Sequence, residues 1–132
     1  MTQIDQELTI YQGETKTIRG KFLDKRSGNA RPLLLTGALL TWVLTRVDKD
    51  TSAETVLVTK DNDDIGGITV TEDGTTPGAR TSVVEVKLAK ANTENLSPLD
   101  EYKHELGIVE VGGDDFVLFT GPVTINKSNT LV

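Results

Sequence analysis

Cysteine is absent from this chain of 132 residues, and aromatic residues make up only 5% of it. The absence of cysteine excludes a disulfide framework, a thiol nucleophile and any cysteine-ligated metal cluster, so stability must come from packing. No run of 18 apolar residues is present, which argues against a membrane-spanning helix. Three Phe, two Tyr and one Trp are too few to supply both a core and a stacking platform for carbohydrate or single-stranded nucleic acid.

Basic residues are also in the minority, with 14 Lys and Arg against 20 Asp and Glu, which gives a net charge of -6. A negative chain repels a phosphate backbone, so we expect neither nucleic acid nor an anionic membrane as the partner. Six of the basic residues fall within residues 16–31, where Asp24 is the only acid. We predict that this segment and an N-terminal arm, residues 1–6, dock on a partner, through Lys16, Arg19, Lys21 and Arg31. A solvated strand edge that resists aggregation is the alternative.

Side chains alternate with a period of two along most of the chain, and Gly, Asp, Asn and Pro separate the alternating runs at short intervals. This pattern predicts an all-β protein, and its seven to nine short strands match an immunoglobulin-like antiparallel β-sandwich. We expect one domain over residues 1–132, with a C-terminal tail at residues 126–132. The predicted core consists of Ile18, Phe22, Leu40, Trp42, Leu44, Val84, Val86, Leu88, Tyr102, Leu106 and Ile108.

Three local signals refine this fold. Residues 89–96 precede Pro98 and predict a short helical crossover between the sheets. Gly112 and Gly113 predict a hairpin turn between the last two strands. Gly121 and Pro122 predict a bulge or an edge position in the final strand, because proline cannot donate a ladder hydrogen bond.

Candidate sites for chemistry are few. Residues 61–72 reproduce part of a calcium loop, with Asp61, Asp63 and Glu72 as candidate ligands, but Ile65 supplies no side-chain oxygen and the flanks look like strands. An acidic hairpin turn is therefore the preferred interpretation. His104, the only histidine, alternates with core positions, so we expect it to be hydrogen-bonded across the sheet. We predict no catalytic residue, no cofactor and no metal, and hence no enzyme.

Several segments, taken in order, resemble a family of small bacteriophage virion proteins related to the N-terminal immunoglobulin-like domain of phage baseplate upper proteins. These segments mark turns, core positions and the bulge rather than a ligand site. They are Ile10-Tyr11-Gln12-Gly13-Glu14-Thr15, Leu35-Thr36-Gly37-Ala38 leading to Thr41-Trp42, Gly66-Gly67-Ile68, Leu96 to Tyr102 with Glu105-Leu106, and Leu118-Phe119-Thr120-Gly121.

This resemblance implies a non-enzymatic virion structural protein. We expect an auxiliary head decoration or cement protein that docks on the major capsid protein. One alternative is a tail or baseplate adaptor, and another is a carbohydrate-binding sandwich for the host surface. The expected location is the virion, after synthesis in the host cytoplasm, because the N-terminus lacks the features of a secretory signal. Association with further copies of the chain is an additional alternative.

Overall fold

Two β-sheets face each other in the computed structural model, which describes residues 4–5, 7–63 and 66–127. Within those residues the elements are β1 (Ile4–Asp5), β2 (Leu8–Tyr11), β3 (Lys16–Asp24), β4 (Arg31–Pro32), β5 (Leu39–Val47), β6 (Glu54–Asp61), β7 (Ile68–Glu72), β8 (Ser82–Leu88), α1 (Lys90–Thr93), β9 (Glu101–Val109) and β10 (Asp115–Asn126). Residues 4–5 of the expected arm thus form a strand. The other arm residues, and residues 128–132 of the expected tail, lie outside the described residues.

The larger sheet has the order β1-β10-β9-β5-β6, and β2 also pairs with β10. The smaller sheet has the order β4-β3-β8-β7. This arrangement confirms the all-β sandwich, because two sheets built mostly from antiparallel pairs pack on each other. One departure from the antiparallel expectation is that β1 and β2 run parallel to β10. The turn after β2 carries the chain directly into β3 of the smaller sheet, so β2 forms no hairpin.

Every predicted core residue is buried, which confirms the period-two interpretation. Leu40, Trp42 and Leu44 alternate along β5 and are fully enclosed. Across the sandwich, Phe22 of β3 stacks on Phe119 of β10 with ring centroids 6.2 Å apart. Gly20 permits this arrangement, because a Cβ atom at that position would lie 2.5 Å from the Phe22 ring.

The crossover between β8 and β9 contains the predicted short helix, α1. Thr93 Oγ1 donates to the Glu14 carbonyl at 2.9 Å, and Gln12 Nε2 donates to the Leu96 carbonyl at 3.0 Å. Both bonds tie the crossover to the turn between β2 and β3. The Tyr102 hydroxyl accepts a hydrogen bond from the Ser97 amide at 2.9 Å, which reproduces the tyrosine corner of immunoglobulin-like sandwiches.

The predicted hairpin between β9 and β10 is confirmed. Gly113 has a φ of +92° in its turn, a conformation that glycine adopts without a steric penalty. The bulge in β10 lies between Val117 and Phe119, so of the two options predicted for residues 121 and 122 the bulge is wrong and an edge-like position is left. Pro122 is tolerated within β10 because β1 pairs with Phe119 and Thr120, and β2 pairs only from Val123 onward.

Replacing Tyr102 with phenylalanine should destabilise the sandwich, because the Ser97 amide would lose its acceptor in a partly buried corner. We expect Tyr102→Phe to lower the free energy of unfolding by about 1–2 kcal/mol in urea titrations. Tyr11→Phe is the matched control, since the Tyr11 side chain is exposed. Equal stability of Tyr102→Phe and the unmodified protein would contradict a structural role for the corner.

Candidate functional site

Arg19 and Lys21 lie together on the outer face of the smaller sheet. Both are exposed on β3, where Arg19 faces Glu85 and Lys21 faces Val83 on β8. Lys87 of β8 is exposed on the same face, opposite Thr17. We call the face that carries these three cations the basic face; the Glu85 carboxylate, opposite Arg19, lies on it as well.

The other two predicted docking residues do not belong to that face. Lys16 has the same parity along β3 as Ile18 and Phe22, so it lies on the inward side and is half-buried. Arg31 lies on β4 beside Asp24, with its Nη2 atom 3.7 Å from Asp24 Oδ2. The structure thus brings two of the four predicted residues together and separates the others from them.

The candidate calcium ligands are also not assembled into one site. Asp61 ends β6, and its Oδ1 atom accepts the Asp63 amide hydrogen at 3.0 Å. Glu72 ends β7, and its Oε2 atom accepts from the Gly74 amide at 2.9 Å. Asp61 forms a β-bridge with Gly67, which immediately precedes β7, whereas Glu72 is the last residue of β7. The five residues of β7 span roughly 17 Å, so Asp61 and Glu72 lie at opposite ends of that strand. Across residues 7–63 and 66–127, no three Asp, Glu, His or Cys side chains are grouped to hold a metal ion.

His104 is fully buried and accepts a hydrogen bond at Nδ1 from Trp42 Nε1 at 3.1 Å. The two residues lie on neighbouring strands, β9 and β5, as the sequence pattern predicted. An indole nitrogen can only donate, so the acceptor nitrogen of His104 must carry no proton. The His104 ring also contacts Phe119, with centroids 5.2 Å apart. His104 therefore has a structural partner inside the core.

Asp24, at the end of β3, forms the centre of an ionic cluster. It is 3% exposed and accepts three hydrogen bonds from Arg26, one from the backbone amide and two from the guanidinium. The same guanidinium donates to both carboxylate oxygens of Glu110, in the hairpin between β9 and β10, at 2.6 and 2.8 Å. Arg26 also lies over the Phe116 ring, 5.2 Å from its centroid. The cluster joins the two sheets at one end.

These contacts shift the titration of both carboxyl groups. Hydrogen bonds from the Arg26 side chain hold the pKa of Asp24 well below its usual range, although burial opposes the shift. The Arg26 guanidinium lowers the pKa of Glu110 in the same way. The parity of Asp24 along β3 would have indicated an inward side chain, but its pairing with Glu110 depends on the tertiary fold.

A shallow groove of about 400 Å³ lies on the outer face of the larger sheet. Two rows of paired residues across β5, β9 and β10 form it. In the first row, Val109 of β9 pairs with Leu39 on one side and Asp115 on the other. In the second row, Gly107 of β9 pairs with Thr41 and with Val117. Leu39 is 49% exposed and Val109 is 41% exposed. A Cβ atom at Gly107 would meet only the Phe116 carbonyl oxygen, at 3.9 Å, so the groove is open above this glycine.

The aromatic side chains offer no stacking platform. Trp42, Tyr102, Phe22 and Phe119 are buried, and Arg26 covers Phe116. Tyr11 is 48% exposed and is the one remaining aromatic residue in the chain. Two surface features of the described residues that fit a macromolecular partner are the basic face of β3 and β8 and the groove around Gly107.

Comparison with known proteins adds no assignment: no protein-family model and no curated protein matches the chain. Within the part of the chain that the structure describes, no helix is both long and apolar enough to cross a membrane.

The hydrogen bond between Trp42 and His104 should couple the two residues energetically. We expect His104→Leu and Trp42→Phe each to lower the free energy of unfolding. The loss in the double variant should be smaller, by about 1–2 kcal/mol, than the sum of the two single losses. The reason is that each single variant leaves a buried polar atom without this partner. Urea unfolding of the four proteins measures the coupling, and strict additivity would contradict it.

The cluster around Arg26 should make stability depend on pH in the acid range. Because both folded pKa values are lowered, the stabilisation is complete above the unfolded values near 4 and is lost as the pH falls below them. We expect Arg26→Gln to cost about 2 kcal/mol at neutral pH and less near pH 2, where the carboxyl groups are protonated in the unfolded chain.

Urea unfolding between neutral pH and about pH 2 measures this difference directly. Arg80→Gln is the control, because Arg80 is exposed and forms no ion pair with a described residue. Parallel stability curves for Arg26→Gln and the unmodified protein would show that the cluster does not shift the two carboxyl groups.

Proposed function

We propose that this protein is a non-enzymatic structural component of a bacteriophage virion, an auxiliary decoration or cement protein that docks on the major capsid protein. The observation that carries the proposal is the correspondence between the resemblance and the fold. The segments that resemble the virion family include the buried Trp42 strand, the Tyr102 corner and the β10 bulge. These are the positions that build a sandwich of the kind the resemblance implies.

The placement of the reactive side chains supports a non-enzymatic role. His104 is enclosed with Trp42, and the carboxylates of Asp24 and Glu110 are held by Arg26. Asp61 and Glu72 are used in separate turns. The groups that could perform acid–base chemistry are therefore engaged in holding the fold, while the sheet faces remain available for a partner.

The basic face formed by Arg19, Lys21 and Lys87 is the docking surface that we propose for the particle. None of these three cations is paired with a carboxylate of a described residue, so their charge is available to an acidic surface. A single small contact of this kind is weak, but many copies on a symmetric shell need only a modest affinity each. Lys16 and Arg31 contribute less, because one is half-buried and the other lies beside Asp24.

Binding to purified particles tests this proposal. Recombinant protein is incubated with virions that have been stripped of it, the particles are sedimented, and the pellet is imaged by electron cryomicroscopy. Regular density over the head is the expected result. Density confined to the tail would favour an adaptor, and failure to bind any part of the particle would contradict a virion role.

The double variant Arg19→Glu with Lys21→Glu should lose most of its binding to the head at physiological salt. Its control is Lys49→Glu with Lys127→Glu, which changes the net charge equally at exposed positions that follow strands of the larger sheet. Wild-type binding by a folded Arg19→Glu, Lys21→Glu protein would exclude the basic face as the docking surface.

A further inference from the structure

The two outer faces of the sandwich carry opposite charge. Among the side chains that the structure describes on the larger sheet, five carboxylates project outward beside one lysine, Lys103, which is paired with one of them. The five are Glu54, Asp61, Glu101, Glu105 and Asp115. On the smaller sheet, the outward residues Arg19, Lys21 and Lys87 face two carboxylates, of Glu85 and Glu72. The Glu72 carboxylate is already bonded to the Gly74 amide.

The centre of the acidic face is apolar. Leu39, Val109 and Val117 surround Gly107, and the missing side chain at Gly107 leaves the groove that lies between them. Asp115 and Glu105 border this groove on β10 and β9. An apolar centre with a charged rim is the usual composition of a protein interface.

The charges distinguish between two ways of covering this face. A second copy that docked through the same face would place its carboxylates against Glu105 and Asp115, which is unfavourable. The basic face of a second copy would instead bring Arg19 and Lys21 to those carboxylates. Complementary patches of this kind fix the orientation of a docking pair.

We propose that free copies of this protein associate head to tail, with the acidic face around Gly107 on one copy covered by the basic face of the next. Such a contact is heterologous, so it continues into a ring or an open chain. The inference does not rest on the proposed virion function. Because the particle would use the same basic face, however, a second copy and the particle compete for it.

The area of the two faces determines how strongly two copies are expected to associate. Four strands by seven residues cover roughly 20 by 23 Å, so a face-to-face contact buries roughly 900 Å² in total. This lies below the range of stable complexes and within that of transient ones. Association should therefore be visible only at high protein concentration, and it should weaken when salt screens the charges.

Sedimentation equilibrium of the intact chain up to about 1 mM protein provides the first test. We expect oligomers in about 50 mM NaCl and roughly tenfold weaker association in about 500 mM NaCl. Monomer alone at both salt concentrations would overturn the proposal.

Two variants then identify the faces. Gly107→Lys fills the groove and adds a positive charge that opposes the basic face, and the space around Gly107 accepts a side chain without a core clash. Arg19→Glu with Lys21→Glu reverses the charge of the basic face. If repulsion between the new Glu side chains and Glu85 prevents folding, the neutral variant Arg19→Gln with Lys21→Gln is used instead. Circular dichroism and urea unfolding establish that each variant is folded.

Each variant alone should remain monomeric, whereas an equimolar mixture should associate, because each partner supplies the intact face that the other lacks. If the variant at Arg19 and Lys21 still associates like the unmodified protein, the contact does not use the basic face and the proposal fails. A mixture that stays monomeric overturns it as well. Gly107→Lys should still bind particles, so a failure of the virion proposal and a failure of this one give different results.

Discussion

The hydrogen bond from Trp42 to His104 is the contact on which the packing of the two sheets depends. The indole must be enclosed to complete the core, and its N–H group then needs an acceptor away from water. His104 supplies that acceptor from the neighbouring strand, and its ring contacts Phe119, which stacks on Phe22 of the opposite sheet. A continuous series of ring contacts thus crosses the sandwich from β5 to β3.

This series occupies the place that a disulfide holds in antibody domains. There the strand-C tryptophan packs on a disulfide whose second cysteine follows the corner tyrosine by two residues. Here the corner tyrosine is Tyr102, and the residue two positions later is His104. The chain has no cysteine, so folding of this core requires no oxidation step. The stabilisation comes instead from a satisfied polar pair and ring packing, which demand close steric fit, as the limited space at Gly20 shows.

The sequence was sufficient for the elements that depend on local alternation and insufficient for those that depend on distant pairing. Alternation identified the core, and Pro and Gly signals identified the α1 crossover and the final hairpin, because side-chain period and turn chemistry are local properties. Parity could also have shown that Lys16 faces inward, since it alternates with Ile18. By contrast, the link between Arg26 and Glu110 joins residues 84 positions apart. The position of the β10 bulge and the parallel pairing of β2 likewise follow from how the two sheets meet.

The same topology explains how an uneven distribution of charge along the chain becomes an uneven distribution in space. The basic segment forms β3 and its flanking loop, and β3 belongs to the smaller sheet. The outward carboxylates come from β6, β9 and β10, which all belong to the larger sheet. The rigid core holds these two faces on opposite sides of the molecule. A net charge of -6 keeps dilute copies apart, whereas within about 10 Å the local charges of the two faces dominate. If the complementary faces bind each other as we propose, the protein concentration decides when they associate.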